Sequence, residues 1–437
     1  MGIKTSIQSE EALEVVEILI ICVAVIFVLL GTYALSFGDT ADSRLATVLS
    51  LTRDGTWYID RPAGQEPNLF ERRTIDKVLV NGRMLSSKPP MLPLLMTAEY
   101  IAMKKVFGWD LLDDEDRRRV IRYMSMTLVG GAYLAALIFT MKTLRLFGVA
   151  PLGRVVMLFS LGFCTQLWGY GTNINNHGPA AGLLVVALYF ALGLGSGKLD
   201  PKPWRFALFG LAGGLVTTMD MPGTVFVAFA GLHLLAKHPA KTLIWAVPAA
   251  AVPIGIQSAI LWSITGSLLP VQMHAEAYLS EASYWRNPRG IDALNEPKGT
   301  YLFHMTFGRC GVFSLYPVLI AGLAGTLRAA FKRDTPWRSY VLAGFAAFAI
   351  LTAYYAITTN NYGGEAYGFR WYIVAMPVLV LMSAPIFHTL RARWKWVFVG
   401  LLIGISFYSA WECSKSPWGA NRQWTCRFLG PSYGRWK

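Results

Sequence analysis

Charge is what this sequence is short of. Only 15% of its 437 residues are Asp, Glu, Lys or Arg, against about 25% in a soluble domain. With a mean hydropathy of +0.41, a chain of this length has too little polar surface to stay in water as a globule. Cysteine and histidine are scarce too, at five and six residues, and they show no zinc-ligand spacing. There is no Lys/Arg-rich tail, no internal repeat and no low-complexity segment. These absences exclude a soluble enzyme, a zinc module and a basic-tailed nucleic-acid binder. The missing inverted repeat also removes one mark of a secondary transporter.

The formal net charge is nevertheless +14. The basic residues stand in short clusters between apolar runs, where they serve as topology signals rather than as a binding face. No nucleic-acid partner is expected.

Eleven runs read as membrane spans: 15–37, 120–141, 152–170, 179–196, 205–221, 223–236, 242–265, 311–328, 338–358, 371–389 and 395–411. The first is too long for a signal-peptide core and lacks a basic flank and a small-residue cleavage site, so it reads as a retained span. With the N-terminus cytoplasmic, the inner loops hold Lys142, Arg145 and Arg154; Lys198, Lys202 and Arg205; Lys237 and Lys241; Arg328, Lys332, Arg333 and Arg338; and Arg391, Arg393 and Lys395. Every one carries at least two basic residues, which is the positive-inside pattern. The other side receives 38–119, 171–178, 266–310, 359–370 and the tail. Counting 90–107 as a span would put every later loop on the wrong side. With Glu99, Lys104 and Lys105 in its apolar stretch, it is expected to lie along the outer interface as an amphipathic helix.

The expected fold is an all-α integral membrane protein of about eleven transmembrane helices. A polytopic domain covers 1–411, with interfacial helices in the first outer loop 38–119 and a large outer loop at 266–310. An outer tail follows at 412–437. Cys22, Cys164 and Cys310 sit in or beside apolar runs and read as packing. Cys413 and Cys426 could form a disulfide in an oxidising compartment, worth roughly 3 kcal/mol.

Residues capable of chemistry gather in the outer segments. Asp39, Asp42 and Arg44 lie just past the first span. A carboxylate there can act as a base on an acceptor hydroxyl or simply cap a helix. Lys88, ahead of Pro89 and Pro90, can bind a phosphate as a point charge or snorkel to the interface. His177 follows Asn175 and Asn176 in the second segment, and Asp220 marks an outer helix end. An acid in apolar surroundings is a functional candidate, with helix capping as the competing reading. The run Asn360 to Trp371 holds Tyr362, Gly363, Gly364, Glu365 and Arg370. Its glycines permit a tight turn, and its arginine can grip a phosphate or belong to an interfacial belt.

An acid two positions before Arg44, the turn Gly55-Thr56-Trp57, and Lys88-Pro89-Pro90 before an apolar helix together resemble the GT-C superfamily. The similarity is greatest to the branch containing protein O-mannosyltransferases and lipid A aminoarabinose transferases. It is specific over about residues 36–100 and architectural elsewhere. The resemblance implies a glycosyltransferase of the bacterial inner membrane, with its active site on the non-cytoplasmic side. It would take sugar from a polyprenyl-phosphate donor among membrane lipids and pass it to a lipid, glycan or protein. Asp42, or Asp39, would then be catalytic, because the family's usual Asp position is Ala41 here. Arg44, Lys88, His177, Asp220, Tyr362, Glu365 and Arg370 would bind substrate, with Lys88 on the donor phosphate. No cofactor is implied, and a divalent cation is left open. The alternative is a membrane transporter or lipid flippase, and a third is a noncatalytic membrane scaffold.

Overall fold

Apolar runs become helices almost throughout the chain. The computed structural model describes residues 2–33, 38–280, 283–419 and 422–430. Seven helices are long and apolar enough to cross a membrane. They are α1 (Gly2–Gly31, apolar from Glu10), Asp114–Leu146, His177–Gly195, Pro239–Thr265, Arg338–Thr358, Arg370–Thr389 and Trp394–Lys415. Three shorter apolar helices, Pro151–Phe163, Met221–Lys237 and Pro317–Phe331, stand among them with the helix Pro203–Met219. These are the features of an all-α membrane protein.

Between α1 and the second long helix lies a small unit of its own. Helix α2 (Asp39–Arg53) is followed by a hairpin of β1 (Lys77–Val80) and β2 (Arg83–Ser86), and then by α3 (Met91–Phe107). The hairpin was not expected in an all-helical chain. Asn81 and Gly82 make its turn, at φ 53° and 73°. Two positive φ values at the central positions match the twist of the flanking strands, which is why Asn-Gly is favoured there. Leu92, Met96, Tyr100 and Met103 of α3 pack on Leu45, Val48 and Leu49 of α2 in a separate core. Residues 91–107 thus form a helix with one face buried on α2, while Ile101, Val106 and Phe107 are exposed on it.

The rest of the bundle is α4 (Asp114–Leu146), α5 (Pro151–Phe163), α6 (His177–Gly195), α7 (Pro203–Met219), α8 (Met221–Lys237) and α9 (Pro239–Thr265), then α10 (Lys298–Thr306), α11 (Pro317–Phe331), α12 (Arg338–Thr358), α13 (Arg370–Thr389) and α14 (Trp394–Lys415). Asp113 caps α4 by accepting from the amides of Glu115 and Asp116. Asp114, Glu115 and Asp116 fill its first turn, where the helix dipole favours acids. Ion pairs from Arg117 to Asp114 and from Arg119 to Asp116 cancel the charge of this stretch locally.

Backbones approach closely where glycine leaves room. A Cβ on Gly182 of α6 would stand 2.2 Å from the Ala132 carbonyl of α4, and one on Gly210 of α7 would stand 2.0 Å from that of Ala246 on α9.

Three expected spans differ in detail. The first ends at Gly31, and its expected end at 34–37 lies outside the described residues. The run 152–170 breaks at Cys164, where buried Thr165 and Gln166 follow; Leu167–Tyr170 then forms a separate turn. The run 311–328 breaks at Tyr316, because Pro317 has no N–H to continue the ladder. Part of the expected tail, 431–437, is outside the described residues. Cys413 carries a buried thiol, so the pairing with Cys426 is not made.

Glu17 is fully buried on α1 and bridges two arginines. Arg154 Nε lies 2.6 Å from its Oε1 and Arg145 Nε 2.7 Å from its Oε2. Glu14, one turn earlier, also meets Arg154 at 3.3 Å. Two of the basic residues counted from sequence as marks of an inner loop thus fasten α1 to α4 and α5. Glu17→Ala would strand Arg145 and leave Arg154 only its longer contacts to Glu14 and Glu10, at an expected cost of about 3 kcal/mol. The measurement is the thermal unfolding midpoint in detergent. An unchanged midpoint would show that the triad does not hold α1.

Candidate functional site

The small unit after α1 meets one end of the bundle around a polar cavity of about 810 Å³. Its walls come from 38–119 (Asp39, Arg44, Asp76, Lys88), 171–178 (Asn176, His177), 266–310 (Trp285, Asp292), 358–371 (Glu365, Arg370) and the tail (Trp418). All five segments between or beyond the expected spans on that side contribute. A second cavity, of about 300 Å³, lies near the other ends of α4, α6 and α8, around His233 and Tyr340. Its walls are apolar, and no Asp, Glu, Lys or Arg is among its described lining residues.

The hairpin sets the key ion pair. Its register places Lys77 opposite Ser86, and one step further Ser87 N–H donates to the Asp76 carbonyl at 3.1 Å. Lys88 thereby comes beside Asp76, with Nζ 2.8 Å from Oδ2. Ser43 of α2 anchors both ends, donating to the Asp76 carbonyl and meeting Ser86 Oγ, each at 2.6 Å. Burial holds the Lys88 ammonium below its usual range, and Arg44 and Arg370 add to this while Asp76 opposes it.

Arg44 is almost completely buried. It donates to the Thr40 carbonyl at 2.7 Å and to Asn176 Oδ1 at 2.5 Å. Burial pulls its guanidinium down to about 10, with Asp76 opposing and Arg370 reinforcing the shift. Asn176 in turn donates to the Met219 carbonyl, and His177 Nδ1 lies 2.7 Å from Asp220 Oδ2. The start of α6 is therefore tied both to α2 and to the end of α7.

Arg370 opens α13 and lies 5.1 Å from the Trp418 ring centroid, a cation–π distance. Among the described residues it has no ion-pair partner, and its buried Nε makes no hydrogen bond. Gly363, at φ 91°, lets the chain fold back to within 3.2 Å of the Arg370 side chain for an added Cβ. The tail is fixed by Trp418 donating to Asn173 Oδ1 at 3.1 Å and Tyr170 donating to the Pro417 carbonyl at 2.7 Å.

Asp39 accepts from the Ile75 amide at 2.7 Å. Burial raises its carboxyl above the usual value, the Asp76 charge adds to the rise, and the amide bond opposes it. Asp292 is likewise raised by burial. Trp285 reaches across to the Ile75 carbonyl at 3.1 Å, and Gln272 to that of Ser87 at 2.6 Å. Loop 266–310 is thus docked on the hairpin.

Of the residues singled out from sequence, Asp39, Arg44, Lys88, His177, Glu365 and Arg370 line the cavity. Asp220 stands one hydrogen bond behind, on His177. Asp42 is buried on α2 and outside the lining. Tyr362 is also outside it, with its hydroxyl on Glu296 beside Arg309. Asp76 and Trp418 were not anticipated. The signal for Asp76 was the Asn81-Gly82 hairpin, which brings residue 76 across from 87. Among the described residues, no group of three or more His, Cys, Asp or Glu is arranged to hold a metal ion.

Next to the cavity's Thr358, Arg370 and Trp371 lies an aromatic cluster. One turn before Thr358, Tyr355 packs on Phe369 at 5.5 Å; Phe369 meets Tyr372 at 4.5 Å, and Tyr372 meets Phe348 at 5.2 Å. All four are nearly fully buried.

No known protein family matches the chain, and neither does any curated protein sequence.

The raised Asp39 gives a stability test. Its folded-state carboxyl titrates above the ordinary 3.8, so the fold gains from the protonated form at low pH and loses that gain as pH rises through the shifted value. Asp39→Asn keeps an acceptor for the Ile75 amide and does not titrate. It should melt above wild type at pH 8, with the gap closing toward pH 4. A gap independent of pH would contradict the shift.

Proposed function

We propose that the protein is a membrane glycosyltransferase that takes a sugar from a polyprenyl-phosphate donor on the non-cytoplasmic face. The chain is read as eleven spans, the seven long helices together with α5, α7, α8 and α11. The N-terminus is inside, and α3 lies along the outer interface. One observation carries this reading. The segments that charge alternation assigns to the outside are the ones that wall the polar cavity, and Lys88, Arg44 and Arg370 meet there.

Three cations beside aromatic faces suit a lipid phosphate joined to a sugar. Lys88 and Arg370 are placed to hold the phosphate, and Trp285, Trp371 and Trp418 line the cavity beside them. An acceptor hydroxyl oxygen attacks the anomeric carbon. The new glycosidic bond forms as the bond from that carbon to the phosphate oxygen breaks. The lipid phosphate leaves with the bonding electrons, and the cations stabilise its growing charge. The hydroxyl proton passes to a carboxylate, for which the cavity offers Asp39, the expected alternate to Asp42. A phosphate leaving group needs no general acid, so one base suffices.

A transporter would need a polar route through the spans. The second cavity, toward the other ends of the helices, has no Asp, Glu, Lys or Arg among its described lining residues, which weighs against one.

The test is transfer of sugar from purified polyprenyl-phosphate donors by protein in proteoliposomes. Lys88→Met is expected to lower turnover by about a hundredfold or more, and Asp39→Asn by a comparable factor, with membrane insertion intact. Full turnover in both variants would remove these residues from the site. Solute uptake without sugar transfer would favour the transporter.

A further inference from the structure

Asp76 occupies a position that the reaction itself does not require. Its carboxylate lines the cavity, is nearly fully buried, and touches Lys88 at 2.8 Å. The other two cations are placed differently. Arg44 spends its terminal nitrogens on Thr40 and Asn176, and Arg370 has no ion-pair partner among the described residues. Among the described residues, Lys88 is the one of these three cations in direct ion-pair contact with a side-chain carboxylate.

A carboxylate oxygen and a phosphate oxygen are equivalent partners for an ammonium. The hairpin itself holds Asp76 through the backbone. Its carbonyl accepts from Ser87 N–H and from Ser43 Oγ, so the carboxylate can turn away without unpicking the hairpin.

We infer that Asp76 is a positioning residue that keeps the place of the donor phosphate on Lys88 until the donor displaces it. This rests on the glycosyl-transfer reading of the cavity. Before donor arrives, the pair keeps a buried ammonium satisfied, which an empty subsite would leave unpaired at considerable cost. When phosphate takes Lys88, Asp76 loses its counter-ion, and its charge acts on Asp39 and Asp292, which line the same cavity. Like charges at close range raise each other's proton affinity. Donor binding thus makes Asp39 a stronger proton acceptor at the step that needs one. No bond to Asp76 forms or breaks. The consequence is an ordered reaction, with donor before acceptor.

The experiment measures binding of a short-chain prenyl phosphate to the full-length protein in detergent, with turnover assayed separately. Asp76→Asn should bind the probe about tenfold tighter than wild type, the order expected when the phosphate no longer has to displace a carboxylate from the ammonium. It should turn over lipid-linked sugar more slowly. Asp76→Glu keeps the charge and should bind close to wild type. In a Lys88→Met background, Asp76→Asn should change nothing. Weaker or unchanged binding in Asp76→Asn, or tightening that persists without Lys88, would overturn the inference. Tighter binding through Lys88 in a protein that transfers no sugar from any donor would keep the role of Asp76 and overturn the glycosyl-transfer reading.

Discussion

A buried guanidinium joins the two parts of this molecule. Arg44 sits on α2, within the small unit after α1, and its hydrogen bond to Asn176 crosses to the first residues of α6. From there Asn176 reaches Met219 and His177 reaches Asp220 at the end of α7. A nearly fully buried arginine tolerates few arrangements, because moving it would unpair the terminal nitrogens that Thr40 and Asn176 hold. That intolerance fixes where α2 lies relative to the bundle. Asp39, on the first turn of α2, takes its place over the cavity from the same constraint.

The hairpin supplies the second coordinate. A two-residue turn leaves no slack in register, so residues ten to twelve apart in sequence arrive as neighbours. Lys88 alone could sweep a wide arc. Held between Asp76 and the Pro89-Pro90 start of α3, it is confined. Loop 266–310 then rests on this platform through Trp285 and Gln272, and the end of α9 through the Ile264 carbonyl, which accepts from Asn81. The arrangement is hierarchical: arginine fixes helix, helix fixes hairpin, and hairpin fixes lysine and loop.

Much of this was legible in sequence because hydropathy is read over whole turns. Arg338–Thr358 matches the expected run 338–358 to the residue, and Met91–Phe107 was anticipated as amphipathic. Lys88, His177 and Arg370 were picked individually, and they share one cavity. What could not be read is pairing across distance. Nothing near Glu17 in sequence announces Arg145 and Arg154, and nothing near Trp418 announces Arg370. Helix breaks at Cys164 and Tyr316 depend on buried side-chain and proline geometry that a window average smooths away. Asp76 is different, since Asn81-Gly82 was a local signal. It was obscured because the surrounding chain is otherwise helical.

The packed rings of Phe348, Tyr355, Phe369 and Tyr372 have a mechanical consequence. Each is large and nearly fully buried, so a rotamer change in one needs its neighbours to give way. The contacts from Tyr355 to Phe369 and from Tyr372 to Phe348 couple α12 to the start of α13 as one stiff wall. Arg370 is carried on that wall, so its guanidinium holds its place over Trp418 with little play.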